Sequence, residues 1–152
     1  MMEKDESTQL TSVIGGRIAY LLNQYVIPHD SGYVTGPNAY YALSTKDLIS
    51  PDIAYISKVR HPALNGEFFP IAPDIAIEII KPETKAEQLQ HKIAAYAQGG
   101  VGLVWEVYFN LKSINIMYYP QRKGKCLAKD DVWEGGDALP GFTLKVSDIF
   151  PK

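Results

Sequence analysis

Two neighbouring stretches, "SPDIAYIS" at 50–57 and "APDIAIEII" at 72–80, repeat one phrase: Pro-Asp-Ile-Ala followed by an apolar run. Short runs that are apolar on both alternating faces read as strands covered on both sides. Such a pair belongs at the centre of a sheet, so the rest of the chain has to supply layers above and below it. Acids set within or at the head of buried strands are costly unless partnered, and each one asks for a reason.

The flanking segments meet that demand. Leu10, Val13, Ile14, Ile18, Leu21, Leu22 and Tyr25 recur at three- and four-residue intervals, predicting a helix over about Leu10 to Val26 that Pro28 and Gly32 end. Gly15-Gly16 inside it costs roughly 1 kcal/mol per glycine against alanine, a cost that close approach of another backbone would explain. "PETKAEQLQHKIAAYAQGG" predicts a second helix. Its capping box is Thr84 with Glu87, its apolar stripe Leu89, Ile93, Tyr96 and Ala97, and its stop Gly99-Gly100. "GYVT" and "NAYYAL", parted by the turn signal "GPN", read as short strands, and so do "VGLVWEVYF" and "SINIMYY". A long loop joins the two central strands, from about Val59 to Pro73. "GDALPGFTLKVSDIF" reads as a turn followed by a short extended or helical piece. The whole, residues 1–152, is expected to form one α/β (α+β) domain with a central sheet flanked by helices, its acidic start "MMEKDESTQ" (1–9) frayed.

Composition removes several function classes. A formal net charge of −2 argues against a general nucleic-acid coat, though not against an enzyme that touches DNA through a local patch. The single cysteine, Cys126, excludes a disulfide framework and a cysteine zinc site, and suits a reducing cytoplasm. No apolar run approaches the length of a membrane span, and no leader is expected. His29, His61 and His91 lack metal-ligand spacing and read as surface residues. Arg122, Lys123 and Lys125 form the most basic patch, read first as a solvated hairpin turn and second as a phosphate contact. Ten tyrosines, together with Trp105, read as core and interface and leave room for a dimer surface.

If the two echo strands pair antiparallel, the head of the first lies beside the tail of the second. Asp52 then approaches Glu78 at one sheet edge. Asp74, displaced about 13 Å along the same strand, cannot share an ion with them and reads as a turn or cap acid. Two converging carboxylates repel unless a cation sits between them. Magnesium, or manganese in its place, takes such hard oxygen ligands and retains waters for chemistry. A lysine near the same spot would steady developing negative charge. Ile80, where a lysine would be most convenient, is not one. Lys81 points to the opposite face of a regular strand. Lys92, one turn before Tyr96, is the better candidate.

With these residues in place, the chain resembles the Uma-two family of restriction-endonuclease-like proteins, within the PD-(D/E)XK nuclease superfamily. The resemblance runs from about Val13 to Phe150 and rests on "SPDIAYIS", "APDIAIEIIKPET", "KIAAYAQGGVGLVW" and "LPGFTLKVSDIF" in that order. It implies a restriction-endonuclease-like core with a mixed sheet, a divalent metal held at Asp52 and Glu78, and a superfamily lysine moved to the helix as Lys92. The activity it implies is magnesium-dependent endonucleolytic hydrolysis of DNA, with Asp52, Glu78 and Lys92 as the catalytic set. The chain departs from the family pattern in four places. The opening is cut to "MMEKDESTQ", a first-motif acid has only Glu3 and Glu6 as loose matches, Lys81 replaces a serine, and Tyr108-Phe109 replaces an Asp-Pro. The alternative is therefore a nuclease-like fold that no longer cuts and serves as a self-associated binding or structural subunit.

Overall fold

The computed structural model describes residues 6–152, with side chains from residue 9 onward. The first helix, α1, spans Glu6–His29. It starts before the expected boundary, so residues 6–9 are helical, while 1–5 and the loosely matched Glu3 lie outside the described residues. It also runs past Pro28, which sits in its last turn. A proline so near the end removes one ladder bond without blocking the turn behind it. The stop comes at Asp30, in the left-handed region (φ 49°), where Ser31 N donates to Val26 O and Asp30 N to Ile27 O. That is a Schellman cap built on aspartate instead of glycine.

The strands are β1 Gly32–Thr35, β2 Tyr41–Ala42, β3 Leu48–Ile49, β4 Ile53–Ser57 and β5 Ile75–Ile80. Helix α2, Ala86–Gly99, follows, and then β6 Leu103–Tyr108, β7 Ser113–Tyr118, β8 Lys123–Leu127, β9 Val132–Glu134 and β10 Thr143–Lys145. A short 3-10 helix, Val146–Ile149, comes last, so the carboxyl-terminal piece is extended and then helical. The main sheet runs β1-β4-β5-β6-β7-β8. Its neighbours are antiparallel except β5 and β6, which are parallel and joined over the sheet by α2. The echo strands β4 and β5 are central and antiparallel, with Ile53 opposite Ile77.

Both faces of β5 are covered, as an unbroken apolar run requires. Ile75, Ile77 and Ile79 pack with Ile14, Ile18, Leu22 and Val26 of α1, a strict four-residue spacing that keeps one helix stripe on the sheet. Burial of each such side chain stabilises the fold by about 1.5–3 kcal/mol. Val13, at 48% exposed, falls off this stripe. On the other face Ala76 packs with Tyr96 of α2, Val104 and Leu43.

Four local expectations are corrected. Gly15 faces the Ile79 and Ile53 side chains at 3.5 and 3.8 Å, and Gly16 has nothing within 4 Å, so the pair admits no second backbone. The capping box is not formed. Lys85 is the N-cap without a side-chain bond, and the Thr84 hydroxyl instead accepts Lys81 N at 3.0 Å, closing the turn before the helix. "NAYYAL" yields only the two residues of β2, paired with β3 in a small hairpin. The basic stretch around Arg122 is the edge strand β8, not a turn alone.

Candidate functional site

The ladder between β4 and β5 ends at the pair Ile53 and Ile77. One step further in this antiparallel register, position 52 falls opposite 78. There Asp52 Oδ2 accepts the Ile79 amide at 2.8 Å, giving a partner to a backbone donor beyond the last ladder pair. Both acids thus sit at the carboxyl-terminal end of β5, at the edge of the region covered by α2.

Glu78 is 4% exposed. Its Oε1 receives the Lys92 ammonium and the Tyr96 hydroxyl, each at 2.6 Å. Those two residues are four apart on α2, so the helix repeat brings both over one strand position. Lys92 Nζ also donates to Ser50 O at 3.3 Å, tying the helix to the segment leading into β4. Burial pushes the Glu78 carboxyl up from its ordinary value to about 7, opposed by the Lys92 charge and reinforced by the Asp52 charge. The hydrogen bonds from Lys92 and Tyr96 pull it back down in part. Burial, and next the Glu78 charge, drive the Tyr96 hydroxyl far above the ordinary phenol range. It is a fixed hydrogen-bond donor, not an acid.

Both donors converge on Oε1, and Glu78 Oε2 has no partner among the described residues. Asp52 Oδ1 is free in the same sense. Among the described residues no group of three or more His, Cys, Asp or Glu side chains gathers to hold a metal. Two open carboxylate oxygens nevertheless fit a magnesium ion, which is held by one or two carboxylates and keeps several waters. They do not fit zinc, which takes a fuller set of nitrogen and sulfur ligands.

The remaining sequence candidates are spread elsewhere. Asp74 accepts Ser57 N at 2.7 Å and pairs with Arg60 at 3.1 Å, so it fastens the opposite end of the strand pair. Lys81 lines a groove of about 470 Å³ together with Asp52, Ile79 and the Gly15-Gly16 pair of α1. His29 stacks on Tyr25 and His61 meets Phe69 edge-on, with no shared centre. Cys126 is exposed on β8. Sequence reasoning missed Tyr96 as a partner of Glu78, because an aromatic on an apolar stripe reads as core. The available signal was its four-residue spacing from Lys92, combined with a strand glutamate in need of donors.

This architecture, a mixed α/β fold with a central sheet between helices, is the restriction-endonuclease-like one. The pattern of the Uma2 family, described as "Putative restriction endonuclease", matches residues 2–147. The chain belongs to that family. In fold it is similar to a protein from Anabaena variabilis whose crystal structure is described as "a putative nuclease belonging to DUF820". The two share a TM-score of 0.81 at 19% identity, over 99% of this chain and 83% of the other. No curated protein matches the sequence.

Proposed function

We propose that the chain is a metal-dependent endonuclease that hydrolyses DNA phosphodiester bonds at the edge formed by Asp52, Glu78 and Lys92. The observation that carries this reading is the buried Glu78, opposite Asp52, with one oxygen held by Lys92 and Tyr96 and the other open. Asp52 and Glu78 would hold magnesium, or manganese, through their open oxygens. When bound, the ion would polarise a phosphoryl oxygen and acidify a water. Asp52, fastened by the Ile79 amide, keeps its carboxylate fixed in direction. Tyr96 holds Glu78 Oε1 and so fixes how its carboxylate is turned. The Lys92 ammonium sits on Glu78, where it would stabilise negative charge building on a phosphate.

The same reading includes a cytoplasmic setting, supported by the unpaired and exposed Cys126. It also includes a homodimer, supported by Tyr20 and Ile27, 62% and 70% exposed on α1. No helix among the described residues is long and apolar enough to cross a membrane.

The second reading, a nuclease-like subunit that binds or builds without cutting, draws on one specific observation. Lys92 already neutralises Glu78 at 2.6 Å, so an ion would have to compete with it. A cleavage assay decides. Linear, nicked, supercoiled and single-stranded DNA are incubated with magnesium, manganese or chelator, beside Glu78→Ala. Metal-dependent cutting lost in the variant supports the enzyme. Cutting that survives it rejects this site, and absence of cutting with no ion bound at millimolar magnesium favours the subunit.

A further inference from the structure

A second acid inside an apolar strand, Glu106 of β6, has no part in the Asp52–Glu78 arrangement. It is the in-register parallel neighbour of Glu78. Its carboxylate, however, lines a separate cavity of about 760 Å³ on the other flank of α2. That size is within the range of small-molecule sites. The Tyr108 hydroxyl donates to Glu106 Oε2 at 2.6 Å. Glu106 Oε1 has no partner among the described residues. Ile93, Ala97 and Met117 supply an apolar wall, and Tyr119 an aromatic one. Arg122, held at φ 58° after the β7 strand, lines the same cavity, and its guanidinium makes no ion pair or hydrogen bond among the described residues.

These groups restrict the ligand. An apolar molecule would desolvate Glu106 and leave its Oε1 without a donor. A polyanion meets the Glu106 charge and a polycation meets Arg122. What suits the cavity is a flat body with N–H donors at one end and a negative charge at the other. We propose that it binds a guanine nucleotide, with Glu106 accepting from the adjacent ring and exocyclic N–H groups and Arg122 meeting the phosphate. The base would lie against Met117 and Tyr119, the way enzymes read an unstacked base by its hydrogen-bonding edge and its faces. Free nucleotide and a guanine extruded from a strand offer the same chemistry. The inference does not rest on the metal-site reading.

Titration calorimetry tests it with GMP, guanosine, UMP and two single-stranded thymine oligonucleotides, one carrying a single guanine. GMP should bind more tightly than UMP. Glu106→Gln, which preserves shape and a partner for Tyr108, should weaken GMP roughly tenfold or more, as expected for hydrogen bonds to a charged group. Arg122→Gln should weaken GMP while leaving guanosine unchanged, and Asp52→Asn should alter neither. Thermal melts of each variant establish folding. Binding of the guanine oligonucleotide without GMP would make a strand the source, and GMP without the oligonucleotide a free nucleotide. Measurable but equal binding of GMP and UMP, equal binding of the two oligonucleotides where only strands bind, unchanged binding of the responding guanine probe in Glu106→Gln, or no saturable binding by any of these probes at millimolar concentration would overturn the proposal.

Discussion

Glu78 holds its proton more tightly in the folded chain than an exposed glutamate does, and this has a consequence for stability. Its carboxyl is raised from 4.5 to about 7, first by burial. Between those two values the folded chain binds a proton that the unfolded chain has released, so stability falls as pH rises. The penalty is absent below about 4.5 and complete above about 7, where it amounts to about 3 kcal/mol. Urea unfolding of the wild type and Glu78→Gln at pH 5, 6, 7 and 8 isolates it. The difference between the two should move against the wild type over that range, and a flat difference would show that Glu78 titrates normally. The partners can be ranked as well. The Lys92 charge opposes the shift more than the Tyr96 hydrogen bond does, so Lys92→Ala should lift the carboxyl further than Tyr96→Phe. Carbon-detected NMR titration of the Glu78 carboxyl reads this order directly.

At the scale of elements, the glycines of α1 give a clean expectation. Gly15 would carry a Cβ in ordinary contact with Ile79 and Ile53, and Gly16 would carry one into open space. Each alanine substitution should therefore stabilise the helix by roughly 0.5–1 kcal/mol through propensity alone. Gly99→Ala should do the opposite, because its Cβ would stand 2.7 Å from that of Leu43. Thermal melts of the three variants check the signs. The glycine pair also shows where the sequence was legible and where it was not. Periodicity located α1 and α2, and two-sided apolar runs located β4 and β5, because burial is written directly into residue type. Antiparallel pairing of those strands then placed Asp52 opposite Glu78. Tertiary partners are not written in the same way. Whether a glycine meets a backbone or a groove depends on atoms far along the chain, and the Thr84 hydroxyl has local partners three residues away on either side, Lys81 and Glu87, between which residue type alone does not choose. Strand β8 escaped notice because an edge strand rich in lysine and glycine carries little apolar signal. Glu106 escaped because the cavity that gives its charge a context is assembled from α2, β6 and β7 together.

At the scale of the whole molecule, only the folded chain brings positions 52 and 78 opposite one another, so an ion held by both would stabilise the fold. At ten times its dissociation constant that gain is about 1.4 kcal/mol. Binding also requires Glu78 without its proton, and its carboxyl is set at about 7. The ionised fraction, and with it the apparent affinity, should therefore rise roughly tenfold between pH 6 and pH 8. The expected result is a magnesium-induced rise in melting temperature that is larger at pH 8 than at pH 6 and disappears in Asp52→Asn. Sodium chloride at matched ionic strength separates this from screening of surface charge. A rise that is equal at both pH values, or that persists in Asp52→Asn, would place the ion elsewhere on the molecule. No rise at either pH would leave Lys92 as the only cation Glu78 accepts, which is the state expected of a nuclease-like fold that binds without cutting.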